Sequence, residues 1–105
     1  MNRAMGFVAG VALMLGASNV QAADISAGEA MYAQACAQCH GRTGRGMASF
    51  PSVSGQDAEY IEARLIQYRE GEQVGPNSAL MIPVAADLSD ENITDLSAFI
   101  AKTFQ

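Results

Sequence analysis

The chain has 105 residues, 50% of them hydrophobic, with 1 histidine, 2 cysteines and no tryptophan. A formal net charge of −5, from 11 acidic against 6 basic side chains, argues against a nucleic-acid or anionic-membrane binder, which needs a basic surface. No internal repeat, low-complexity tract or second domain is visible.

Asn2 and Arg3 give a positive start, residues 7–17 form an apolar run, and Val20-Gln21-Ala22 places small residues where a signal peptidase reads. Residues 1–22 are therefore expected to be a secretory leader cleaved after Ala22, leaving one domain over 23–105. The run is shorter than the ~20 residues that span a bilayer, which argues against an uncleaved anchor. Losing Arg3 with the leader takes the net charge to −6.

The first helix is expected over 27–38. Ser26 serves as N-cap with Glu29 three residues on, a capping box. Gly28 and Tyr32 share one face, and Gly41 is a natural stop. At the end of this helix stands Cys36-Ala37-Gln38-Cys39-His40, the C-x-x-C-H pattern of covalent haem attachment. Two thiols on one turn reach the two vinyl groups of one porphyrin, and the next residue, His40, offers its imidazole to the iron as proximal ligand.

Other readings of the motif are weaker. A structural disulfide across two residues gives little loop-closure benefit. A thioredoxin-like pair needs a preceding strand in a βαβ setting, which is missing. Structural zinc normally takes four Cys or His ligands, and the chain has three candidates. Covalent haem is the reading adopted, with a redox disulfide as the alternative left standing. Export agrees with it, because bacteria attach haem c outside the cytoplasmic membrane. At this size a core is marginal, and a flat apolar disc at its centre makes up the deficit. The apoprotein is accordingly expected to be largely unfolded.

Residues 41–56 read as a glycine-rich loop carrying Arg42 and Arg45, a local basic pair that suits solvation, contacts to haem propionates, or a partner-orienting rim. A second helix is expected over 58–70, with Asp57 as N-cap, Gly71 beyond its end, and Ile61, Leu65 and Tyr68 as an apolar stripe. Residues 71–87, broken by Gly75-Pro76 and Pro83, read as a second loop. The last helix starts after Ser89, with Asp90 and Glu91 in its first turn, where the dipole favours negative charge. Ile93, Leu96, Ile100 and Phe104 are its expected buried face, with Phe99 beside them. No strand pattern appears, so the fold class is all-α: three main helices around a prosthetic group.

The iron needs a sixth ligand, and a methionine thioether is the best remaining side chain. Met31 shares the helix of the haem motif and cannot readily cross the ring. Met47 follows His40 too closely. Met81, in the middle of the 71–87 loop, is the expected distal ligand. It argues against an open-site haem enzyme or gas sensor.

With Cys36-Ala37-Gln38-Cys39-His40-Gly41, Phe50-Pro51-Ser52-Val53-Ser54-Gly55-Gln56 and Met81 followed by Leu88-Ser89-Asp90-Glu91, the chain resembles the class I c-type cytochromes. It is most similar to their short bacterial periplasmic monohaem members and to one domain of their dihaem members. The resemblance implies that the Pro51 carbonyl accepts a hydrogen bond from the His40 ring. It also implies that Gly28 and Tyr32 cross Leu96 and Phe99 where the N- and C-terminal helices meet. Val53-Ser54 stands where Leu-Ala is more usual, a departure that does not touch ligation. The implied function is periplasmic single-electron transfer through one His/Met-ligated haem c at a positive potential, without enzymatic activity. The alternative is a haem subunit of a larger oxidoreductase, such as a flavoprotein dehydrogenase. Expected partners are a redox donor and acceptor with basic docking surfaces, and neither nucleic acid nor stable membrane insertion.

Overall fold

The computed structural model describes residues 22–105. The expected leader, residues 1–22, lies outside the described residues apart from Ala22. Five helices follow in order: α1 Ile25–Ala35, α2 Ala37–His40, α3 Ala58–Arg69, α4 Ser78–Ala86 and α5 Asp90–Thr103. Among the described residues the only β pairing is an isolated bridge between Met47 and Phe50. The all-α expectation holds.

The start of α1 differs from expectation. Its N-cap is Asp24, not Ser26: the Ala27 amide donates to Asp24 Oδ1 at 3.0 Å. Asp24 is itself pinned, since its own amide donates to Asp95 Oδ1 of α5 at 2.8 Å. That tertiary bond selects between two acceptable caps two residues apart, leaving Ser26 inside the first turn. The expected 27–38 helix is also broken. The helix is interrupted at Cys36, where φ widens to −117°, and a short α2 restarts with the His40 amide donating to the Cys36 carbonyl at 3.0 Å. The break re-aims Cys39 and His40 relative to α1.

α3 and α5 begin as their caps predict. The Tyr60 amide donates to Asp57 Oδ1 at 2.7 Å. Ser89 and Asn92 exchange backbone-to-side-chain bonds of 3.0 Å each, a full capping box.

α4 is the main correction: the stretch expected as loop contains a nine-residue helix with Pro83 inside it. A proline removes one helical donor and crowds the turn before it, so it reads as a breaker. Here α4 packs against α3, with Ala85 wholly buried and Met81 and Ile82 half-buried, while Leu80 stays exposed. Tertiary burial outweighs the local cost. Ser78 fixes the entry to α4: its buried hydroxyl accepts the amides of Val74 at 2.9 Å and Gly75 at 2.8 Å.

The core holds the expected residues except Tyr68, which is only partly buried, and adds Ala85 and Leu88. Ile93, Leu96 and Ile100 of α5, Ile61 and Leu65 of α3 and Tyr32 of α1 are buried together. The largest helix interface is α1 against α5. Gly28 makes it possible, because a Cβ there would sit 2.7 Å from the Asp95 carbonyl carbon and 2.9 Å from Phe99 Cβ. Below that crossing the rings of Tyr32, Phe99 and Phe104 stack mutually, with centroids 5.0–5.7 Å apart. Phe104 also closes the loop after α2. Gly44, at φ +71°, lies under its ring, where a Cβ would come within 2.6 Å. The Gly55 amide donates to the Phe104 carbonyl at 2.8 Å.

Candidate haem site

His40 is buried at the end of α2, with 8% of its surface exposed. Its Nδ1 lies 2.7 Å from the Pro51 carbonyl oxygen. A carbonyl only accepts, so Nδ1 carries the proton and Nε2 keeps its lone pair. The loop holds Pro51 in place through a bond from the Val53 amide to the Gly44 carbonyl at 2.7 Å and one from the Gly46 amide to the His40 carbonyl at 2.8 Å. From the other side Tyr32 donates its phenol proton to the Gly41 carbonyl at 2.6 Å. One helix and one loop therefore fix the imidazole's tautomer and orientation.

Two predominantly apolar cavities flank it, of ≈ 190 Å³ and ≈ 280 Å³. Both are lined by Cys36, His40, Pro51, Tyr68 and Met81, so they form one slot with the imidazole and the thioether in its middle. Cys39 lines only the larger cavity, with Leu80 and Val84 of α4. Arg64 and Tyr60 line only the smaller one, with Leu65 and Ile100. The five residues expected to form the site, Cys36, Cys39, His40, Pro51 and Met81, thus meet at one slot. Met81 reaches it from a helix rather than a loop. Arg42 and Arg45, expected nearby, are exposed and line neither cavity. Arg64, Tyr60 and Gln56 do line it and carry no motif. Only their own spacing, four residues apart on and beside α3, would have signalled them.

The cysteines carry no disulfide. Burial, and next the nearby Cys39, push the Cys36 thiol up to about 11. A nucleophilic redox thiol is favoured by the opposite, a depressed value, so the burial of Cys36 works against the redox alternative. Among the described residues no three His, Cys, Asp or Glu side chains are grouped to hold a metal ion, which leaves zinc without a site. A flat apolar group with two alkylatable edge carbons and a central ion suits what is present: two adjacent thiols, one oriented imidazole, one thioether and apolar walls.

The cytochrome c family profile matches residues 25–104. The chain belongs to the cytochrome c family. It is 44% identical over 79 residues to cytochrome c-554(548) of Halomonas halodenitrificans, covering 74% of this chain and 94% of that protein. Against cytochrome c-554(547) of Halothiobacillus neapolitanus it is 38% identical over 88 residues, covering 76% and 97%. The crystal structure of reduced cytochrome c4 from Pseudomonas stutzeri superposes with a TM-score of 0.68 at 33% identity, over 79% of this chain. This chain spans 50% of that one. As a class I c-type cytochrome the protein carries covalently bound haem c and is an electron-transfer protein rather than an enzyme. Its role is that of a monohaem electron carrier.

Proposed function

We propose that the protein is a freely diffusing periplasmic carrier whose haem iron is held between His40 Nε2 and the Met81 thioether, with Cys36 and Cys39 as the covalent tethers. The observation that carries this reading is the shared slot: one oriented imidazole and one methionine line both of its halves. Haem c supplies a one-electron ferrous/ferric couple. The protein's own part is to hold, orient and exclude. Pro51 fixes the His40 ring and raises its basicity by accepting the Nδ1 proton. His40 and Met81, if both held the group in either oxidation state, would keep the rearrangement on electron transfer small. The thioether and the apolar walls both disfavour the extra charge of ferric iron, so the potential is positive.

Export is supported by the leader pattern in residues 1–22, with cleavage after Ala22. Among the described residues no helix is long and apolar enough to cross a membrane. The acidic charge suits basic docking surfaces on donor and acceptor, steered by long-range attraction. Arg42 and Arg45 are exposed, a local basic pair that would meet an acidic spot within an otherwise basic partner surface. The carrier reading is favoured over an enzyme-subunit reading because the chain spans nearly the full length of relatives that are cytochromes in their own right.

The test is a spectroelectrochemical titration of the holoprotein, together with size exclusion of the native periplasm followed by haem absorbance. A positive midpoint and elution as a small free protein support the proposal. A clearly negative midpoint defeats the axial pair, and co-elution with a larger chain defeats the free carrier.

A further inference from the structure

Asp95 is a buried carboxylate without a counter-charge. It sits on α5 at the crossing with α1, with 7% of its surface exposed. Its backbone carbonyl faces Gly28, and its side chain accepts one bond, from the Asp24 amide to Oδ1 at 2.8 Å. Among the described residues no other hydrogen bond reaches that carboxylate, and the one ion pair is Arg69 with the exposed Asp90, at 2.7 Å. Burying a carboxylate with one amide and no cation is costly. The N-terminal end of α1 offers it only about half a positive charge.

A full charge becomes available one residue upstream. The expected cleavage after Ala22 falls next to the amide that Asp95 holds. Ala22 is exposed and Ala23 half-buried. Water adds across the Ala22–Ala23 bond; the leader keeps the new carboxylate and the domain keeps the new amine, which is protonated at neutral pH. Successive backbone nitrogens lie no more than about 3.7 Å apart. The Ala23 ammonium and the Asp24 amide can therefore bind the two oxygens of one carboxylate side by side. The other nearby carboxylate, that of Asp24, is exposed and caps the Ala27 amide.

We propose that Asp95 is the receiving site for the processed N-terminus: the Ala23 ammonium pairs with its carboxylate, so removal of the leader tightens the α1–α5 crossing. This rests on the leader reading above. Before cleavage the same nitrogen is a neutral amide, and the buried charge stays uncompensated.

The mature chain carries two amines, because Lys102, which is exposed, is the one lysine of the sequence. The test labels the periplasm-matured holoprotein with limiting acetic anhydride and reads both amines by mass spectrometry, with Lys102 as internal reference. Relative to Lys102, the α-amine is expected to react about tenfold more slowly in the native protein than in guanidinium, the effect of one unit of stabilisation of its charged form. Asp95→Asn, which keeps an oxygen for the Asp24 amide but no charge, should recover most of that rate. A Gly-Ser insertion after Ala22 moves the ammonium away without touching α5. It should raise the equilibrium constant for unfolding about three- to tenfold, and less than twofold in Asp95→Asn. Equal labelling in wild type and Asp95→Asn, or an insertion without effect, overturns the pair alone. A mature mass that does not begin at Ala23 overturns the leader reading and this inference with it.

Discussion

Gly28→Ala tests the helix crossing on which the site is built. On an isolated helix the change is favourable by about 1 kcal/mol, because alanine is the better helix former. In this fold the new methyl meets the Asp95 carbonyl of α5 and lies 2.9 Å from Phe99 Cβ. These neighbours are backbone and a Cβ, so no rotamer change relieves the overlap. α1 and α5 must separate, and every contact along their interface loosens. Overpacking of this kind costs about 1–3 kcal/mol, and an obstruction by backbone belongs at the upper end. The net loss is about 2 kcal/mol, which for a domain of this size lowers Tm by about 10 °C. Thermal melts of the holoprotein followed by far-UV circular dichroism measure it, with the haem retained by its covalent bonds. A Tm equal to or above wild type would mean that helix propensity wins and that the crossing is not close-packed.

Met81→Ala should keep the haem attached yet admit carbon monoxide or imidazole, seen as a new ferrous or ferric spectrum; an unchanged ferric spectrum would remove Met81 as distal ligand. Ser78→Ala leaves two amides at the entry to α4 without their acceptor, so exogenous imidazole should bind more tightly than in Ser89→Ala, which uncaps α5 instead; equal affinities would show that Ser78 does not position Met81. Asp95→Ala deprives the Asp24 amide of its partner and should cost about 1–2 kcal/mol in denaturant melts. Burial pushes the Tyr32 phenol up to about 12. Its unfolded value is about 10, so its contribution is complete below about pH 10 and is lost as pH rises through about 12. Tm should therefore fall across that window and fall less in Tyr32→Phe; identical slopes would refute the assignment.

The chemistry of the site was the most legible part of the sequence because it is local. Cys36, Cys39 and His40 fall within five residues, and their spacing alone specifies the attachment reaction. The caps at Asp57 and Ser89 were legible for the same reason. What local pattern could not decide was settled by partners far along the chain. Asp24 displaced Ser26 as a cap because Asp95 holds its amide. α4 formed despite Pro83 because α3 covers its apolar face. Arg64 gave no signal beside Arg42 and Arg45, since only the folded slot distinguishes a cation inside it from two outside.

Phe104 carries a consequence for timing. It stacks on Tyr32, sits over Gly44 and receives the Gly55 amide, so it ties the loop beside His40 to the last turn of the protein. A nascent chain that has not yet exposed Phe104 lacks that tie and keeps only the loop's local bonds to His40 and Gly44, although its thiols and imidazole are already complete. Attachment of the cofactor can thus precede closure of the pocket, and trimming the last two residues would reopen it afterwards.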